Sequence, residues 1–180
     1  MTMSPRTRKA ALTAHVISSV GWLGAVFAFL ALAVVGSTSQ DDQLVRAALL
    51  VMRPITWFVL VPLAFASLLT GLVSALGTTW GLFQHYWVLF KLLLNLIATV
   101  VLLVYTQTVD FVADTAAEGT LSGENLRALA GSPQLHAALA LLVLLVSTVL
   151  AVYKPRGLTS YGRRKQDEQR RRAKRVTSTQ

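Results

Sequence analysis

The residues best able to do chemistry in this 180-residue chain are histidines and one lysine that stand in or beside long apolar runs. His15 and Lys91 each interrupt such a run, and His85 comes shortly before the run that holds Lys91. Imidazole binds metals and exchanges protons near neutral pH, whereas an ammonium group pairs with carboxylates and phosphates. We therefore expect a candidate cofactor site built from His15, Lys91 and His85.

The sequence lacks the residues for several other kinds of chemistry. It contains no cysteine, which excludes disulfides, thiolate metal sites and thiol nucleophiles. It also contains no nucleotide-binding glycine loop, no nucleophile elbow and no His-Glu-x-x-His run. We predict no catalytic residue and no metal site, and a protein that is not an enzyme is the favoured hypothesis.

Long apolar helices must position the candidate site. The mean hydropathy is +0.56 and 54% of the residues are hydrophobic, more than a soluble domain of this length would bury. Several uncharged runs exceed the roughly 18 residues that mark a spanning helix. The sequence predicts an all-α, integral membrane four-helix bundle in residues 1–155, with helices at about 10–35, 54–76, 86–112 and 133–153.

Two prolines shape the predicted second helix. Pro54 suits its first turn, and Pro62 lies inside it, where the missing N–H predicts a kink. A short amphipathic stretch, residues 42–52, leads into this helix. A cleaved signal peptide is the alternative for the first helix, but its apolar run is far longer than such a peptide needs.

Basic residues predict the orientation of the bundle. Of the 17 Lys and Arg residues, 13 lie before the first predicted helix or after the last one. Because cytoplasmic segments carry an excess of Lys and Arg, both termini are expected in the cytoplasm. The sequence therefore predicts a multi-pass protein of the cell membrane.

Residues 156–180 form a basic cytoplasmic tail. Its simplest role is to set topology as a solvated, disordered or frayed helical end. The alternative is a surface that binds anionic lipid head groups. Nucleic-acid binding is not expected, because residues 163–175 contain no aromatic side chain that would stack on bases. The basic residues of the tail that would bind lipid head groups are Arg163, Arg164, Lys165, Arg171, Arg172, Lys174 and Arg175.

Polar residues recur on one face of each predicted helix, which is the face that lipid cannot satisfy. On the first helix they are His15, Ser18, Ser19 and Trp22, and on the second Ser67, Thr70, Gly71 and Ser74. The longest stripe is Lys91, Asn95, Thr99, Thr106 and Asp110, and the last helix adds His136. Hydrogen bonds between helices, at about 0.6 kcal/mol each, are the simplest role for these groups.

Depth in the membrane decides which of these residues can meet. His15 and Lys91 each lie about one turn from the cytoplasmic end of a helix, so a shared inner site is expected, with snorkelling of Lys91 to the surface as the alternative. His136 begins the last helix on the outer side, where we expect it near Asp110, Arg53 and Thr106. A single metal or haem iron held by both His15 and His136 is excluded by their separation along the membrane normal.

Two short segments resemble known families. The run from His15 to Gly24 resembles the opening helix of small bacterial membrane proteins that include the copper-resistance D family and the HemJ-type protoporphyrinogen oxidases. Trp87 and Lys91 resemble the Trp-x-x-x-Lys element of the same group. The resemblance implies that His15 and Lys91 serve haem binding and porphyrin oxidation, with haem b as the cofactor. Where HemJ-type proteins carry Arg, nine residues after the Trp, this chain has Ala31.

The whole chain, including its Tyr153 to Arg164 ending, is similar to actinobacterial integral membrane proteins with a domain of unknown function. Three hypotheses stay open. The first is a non-enzymatic accessory or structural membrane protein whose polar stripes serve packing. The second is a haem- or porphyrin-linked redox protein that uses His15 and Lys91. The third is a small transporter or copper-handling protein, which would need a homo-oligomer.

Overall fold

A computed structural model describes residues 3–76, 84–153, 157 and 159–177, and every element in these residues is a helix. The elements are α1 (Pro5–Thr38), α2 (Asp42–Ile55), a π-helical turn (Thr56–Leu60), α3 (Val61–Leu76), α4 (Tyr86–Glu118), α5 (Gly123–Ala128), α6 (Gly131–Tyr153) and α7 (Ser160–Thr177). Four segments are long and apolar enough to cross a membrane: Pro5–Thr38, Asp42–Leu76, Tyr86–Glu118 and Gly123–Tyr153. The predictions of an all-helical fold and of four helices long and apolar enough to span a membrane are confirmed.

Helix α1 is longer than the membrane requires. Its 34 residues extend over about 51 Å, whereas a hydrocarbon core is about 30 Å thick. It starts five residues before the predicted helix because Ser4 caps it, accepting a hydrogen bond from the Thr7 N–H at 3.2 Å, and Pro5 suits a first turn. Its first turns therefore carry Arg6, Arg8 and Lys9 beyond the apolar core.

The second spanning segment begins earlier than predicted. Asp41 caps α2 by accepting from the Gln43 N–H at 2.9 Å, and the helix continues through Pro54, so this proline is not in a first turn. Pro54 is exposed, where water can satisfy the carbonyl that a proline leaves without a donor. The π-helical turn directly precedes Pro62 and widens the helix where that proline removes a backbone donor.

The helices close into a ring. Helix α1 packs against α3 and α6, and α4 packs against the other sides of the same two helices, while α2 lies against α1 and α4. Large apolar side chains on all four spanning segments remain exposed, among them Phe27, Phe58, Val104 and Val152. An apolar surface of this extent is what lipid contact requires.

The two halves of the bundle differ in what they bury. We call the half that holds the starts of α1 and α4 and the end of α6 the proximal half, and the other the distal half. Buried apolar residues concentrate in the distal half: Trp22, Val26, Phe29, Ala33, Leu49, Met52, Val109, Val112 and Ala116. The buried residues of the proximal half are largely polar: Ser18, Ser67, Asn95, Thr99 and Ser147. The distal half is thus a packed core, and the proximal half holds the polar groups.

Interhelical hydrogen bonds close the distal end. The Arg46 guanidinium donates to the carbonyl of Ala116 in the last turns of α4 and, at 2.8 Å, to that of Leu121. Asp42 accepts from the Gly123 N–H at 2.8 Å and lies 3.8 Å from the Arg127 guanidinium. These contacts satisfy helix-terminal groups that lipid could not.

Candidate functional site

His15 and Lys91 meet in the proximal half. Helix α1 carries His15 and α4 carries Lys91, and Lys91 Nζ lies 3.5 Å from His15 Nε2. Both side chains are half-buried. The structure therefore brings together the two residues that matching depth predicted to face each other.

Helix α3 orients the imidazole ring. His15 Nδ1 lies 3.1 Å from the backbone carbonyl oxygen of Ser67 and 3.2 Å from Thr70 Oγ1. Because a carbonyl oxygen only accepts, Nδ1 must carry the proton and donate. In the neutral ring Nε2 is then left with its lone pair, and it points toward the Lys91 ammonium.

Small residues let α1 and α3 approach closely enough for these bonds. The imidazole lies directly against Gly71, since a Cβ at that position would be 2.9 Å from His15 Cε1. One turn further into the membrane, Ser19 Oγ and Ser67 Oγ share a hydrogen bond of 2.9 Å. Ser18 Oγ donates to the His15 carbonyl at 3.1 Å. The polar stripes of the two helices thus face each other.

Lys91 has no acidic partner at its depth. None of the eight Asp and Glu residues lies in the proximal half of a spanning helix. An ionised group in a membrane normally pairs with an opposite charge or reaches the surface. The contact with His15 supplies a hydrogen-bond acceptor but no negative charge.

Unpaired polar atoms accompany the pair. Asn95 lies one turn beyond Lys91 on the same face of α4, is 7% exposed, and its Oδ1 has no hydrogen-bond partner among the described residues. The same holds for Ser74 Oγ on α3 and Ser147 Oγ on α6. Buried polar atoms are nearly always satisfied, so these three atoms are exceptions among the described residues of the spanning helices.

An apolar groove of about 550 Å³ opens on the side of α4 that adjoins the end of α6. Its lining consists of Tyr86, Trp87, Leu89, Phe90, Leu93, Leu150 and Gly157. Lys91 follows Phe90 directly and lies one turn from Trp87 on the helix surface. The groove and the lysine therefore share the first turns of α4.

His85 is the residue that precedes α4. Its ring lies 6.3 Å from the Trp87 ring at an interplanar angle of 55°. Its membership of a site with His15 and Lys91 stays a prediction.

The residues of the expected distal cluster have several identified partners in the structure. Asp110 lies 3.1 Å from Arg53 Nε and accepts from Trp57 Nε1 at 3.1 Å. His136 instead stacks on Tyr105, with ring centroids 4.0 Å apart. His136 therefore belongs with Tyr105, whereas Asp110 belongs with α2 and the π-helical turn.

The remaining members of the long stripe serve α4 itself. Thr99 Oγ1 donates to the carbonyl of Asn95 at 2.8 Å, and Thr106 Oγ1 donates to that of Leu103 at 2.7 Å. Both threonines are buried. Hydroxyl groups bonded within their own helix are compatible with a packing role.

Sequence reasoning missed which helix holds the imidazole. Ser67, Thr70 and Gly71 had been recognised as a polar and small-residue stripe but not as the surface that receives His15. Their spacing along one helix face was the available signal. Within the described residues, no group of three or more His, Cys, Asp or Glu side chains could hold a metal ion.

Comparison of the chain with known protein families, curated proteins and solved structures gives no match.

Proposed function

We propose that this integral membrane protein is a non-enzymatic, accessory binding protein that holds an acidic amphiphile at Lys91, with His15 beside it. The observation that carries the proposal is the position of the Lys91 ammonium in a spanning helix. Its neighbour at 3.5 Å is the uncharged Nε2 of His15, and no spanning helix has a carboxylate in its proximal half. An ionised side chain costs about 3 kcal/mol at mid-bilayer, and less near the surface. A carboxylate or phosphate of a ligand would offset that cost through a charge-assisted hydrogen bond.

The surroundings of Lys91 favour a ligand with an apolar body. The groove beside α4 is lined by aromatic and aliphatic side chains that do not include Lys91, and Trp87 of this lining lies one turn from the lysine on the helix surface. The unpaired Asn95 Oδ1 lies one turn beyond Lys91. A molecule with an anionic head and a flat or flexible apolar part would use both features. Porphyrins belong to this class, as does the haem that the resemblance of the His15 and Lys91 segments implies.

Haem binding is the second candidate, and the imidazole geometry favours it. A histidine that ligates a metal commonly donates its other ring N–H to a carbonyl, as His15 Nδ1 does to Ser67. His15 Nε2 would then hold the iron and Lys91 would pair with a propionate. Haem would supply one-electron redox chemistry, while the chain would orient it and exclude water.

Ligand titrations separate the two candidates. Metal-free protoporphyrin and haem are added in turn to the detergent-purified chain and to His15→Ala, Lys91→Met and His136→Ala variants. We expect Lys91→Met to weaken binding of both ligands at least about tenfold, because each loses its charge partner. His136→Ala, which removes a distal imidazole, is expected to bind as the wild type does.

The response of His15→Ala decides which candidate holds. If this variant loses only the Soret change seen with haem, the haem candidate is supported; if it binds both ligands normally, iron ligation by His15 is wrong. Failure of the wild type to bind either ligand, or equal binding by all variants, would overturn the proposal and leave the polar stripes as packing.

We further propose that the proximal end faces the cytoplasm, because 13 of the 17 basic residues lie on that side, three in the first turns of α1 and ten after α6. A single cysteine introduced by Ala173→Cys into this cysteine-free chain tests it. A membrane-impermeant thiol reagent should label this variant only after cells are opened. Labelling in intact cells would reverse the proposed orientation.

A further inference from the structure

Gly157 and Thr159, which follow α6 in the sequence, form a backbone junction with residues 84–86. The Tyr86 N–H donates to the Gly157 carbonyl at 3.3 Å, and the Thr159 N–H donates to the Gln84 carbonyl at 3.0 Å. These two bonds attach the start of the tail to the start of α4. Helix α7 therefore begins at a defined place at the proximal end of the spanning helices.

The first turn of α7 is fitted to the same junction. Thr159 Oγ1 accepts from the Gly162 N–H at 3.0 Å, which caps the helix. Gly162 is buried against Gln84, and a Cβ there would collide with the Gln84 carbonyl oxygen. At Gly157 a Cβ would meet only the Tyr86 ring, at an ordinary 3.8 Å. The two glycines thus form a matched pair, one required by the junction and one not.

Helix α7 carries a strong positive charge. Its 18 residues contain eight Arg and Lys and two acidic residues, a formal net charge of +6. At 100° per residue the basic positions cover about 220° of the helix, and a narrow uncharged stripe holds positions 162, 166, 169 and 173. The sequence predicts a solvated, disordered or frayed helical end, and in the structure Ser160–Thr177 form a helix of 18 residues, which is about 27 Å long.

We infer that α7 binds the anionic phospholipid head groups of the membrane the bundle spans, and that the junction holds it at that surface. The junction lies at the end of the spanning helices, so α7 starts where head groups begin. Its charge complements theirs, and attraction of this kind acts within a Debye length of the surface. Nucleic acid fits less well, because the single aromatic residue of α7 is Tyr161 at its start. This inference does not depend on a ligand at Lys91.

The test uses the full-length chain in lipid nanodiscs. An environment-sensitive fluorophore is attached to Ala173→Cys, and discs contain phosphatidylcholine alone or with increasing phosphatidylglycerol. We expect a blue shift that rises with the anionic lipid fraction and is lost near 1 M salt, where the Debye length is ~3 Å. No shift, or an equal shift in neutral discs, would overturn the inference. The inference would also be overturned if RNA added to neutral discs caused the blue shift and phosphatidylglycerol in the discs did not.

The glycine pair tests the junction. In the labelled background, Gly162→Ala should at least double the phosphatidylglycerol fraction needed for a half-maximal shift, because a loosened tail has a lower effective concentration at the surface. Gly157→Ala should leave that fraction unchanged. Identical curves for the two variants would show that the junction does not position α7.

Discussion

Replacing Lys91 by methionine is expected to stabilise the ligand-free bundle by about 1–3 kcal/mol and to weaken binding of acidic amphiphiles at least about tenfold. Methionine keeps the length and apolar stem of lysine and removes a charge that has no acidic partner in the proximal half. The hydrogen bond to His15 Nε2 is long, at 3.5 Å. We therefore expect its loss to cost less free energy than is gained by removing an ionised side chain from the membrane. The free energy of unfolding in mixed detergent micelles measures the first effect, and porphyrin titration measures the second.

The opposite sign would have a clear meaning. One hydrogen bond usually contributes about 0.5–1.5 kcal/mol to stability. If Lys91→Met destabilises the bundle by about 1 kcal/mol or more, the hydrogen bond between Lys91 and His15 therefore stabilises the packing of the helices, and Lys91 serves that packing. Lys91→Arg is the matched control, since it keeps the charge and should leave stability within about 1 kcal/mol of the wild type. A gain of stability with a loss of binding is the pattern of a residue retained for a ligand.

The membrane architecture could be predicted because hydropathy reports it directly. Four apolar segments long enough to cross a bilayer leave few other solutions, and the structure has the four corresponding helices. The meeting of His15 with Lys91 was also predictable, since equal depth and inward polar faces are both properties of the sequence. Ser67 could not be identified as the acceptor, because a backbone carbonyl carries no sequence signal.

Other features of the fold depend on contacts that no repeating pattern in the sequence indicates. The junction joins Gln84 and Tyr86 to Gly157 and Thr159 through backbone groups, which any residue types supply. Depth predicts His136 near Asp110, but it gives no sign of the stacking on Tyr105 that the structure shows. The π-helical turn before Pro62 is a local response to a missing donor, for which the sequence predicted only a kink.

Gly71→Ala is expected to destabilise the bundle by about 1–3 kcal/mol and to weaken porphyrin binding about tenfold or more. The new methyl group would lie 2.9 Å from His15 Cε1, and the ring cannot move away without losing the Ser67 carbonyl at 3.1 Å. The gain of about 1 kcal/mol that alanine brings to a helix interior offsets only part of this overpacking. Unfolding in mixed micelles and the porphyrin titration measure the two effects.

Gly24→Ala is the matched control on α1, because a Cβ there meets nothing within 4 Å. It should be neutral or stabilise the helix by up to about 1 kcal/mol, with porphyrin binding unchanged. Gly24 belongs to the segment that resembles the copper-resistance and HemJ-type proteins, whereas Gly71 does not. If Gly24→Ala weakens binding while Gly71→Ala is tolerated, the ligand is held on the far face of α1, and the site assigned to the contact between α1 and α3 is wrong. If Gly71→Ala weakens binding while Gly24→Ala does not, the result supports a site in which His15, held against Gly71, contacts the ligand.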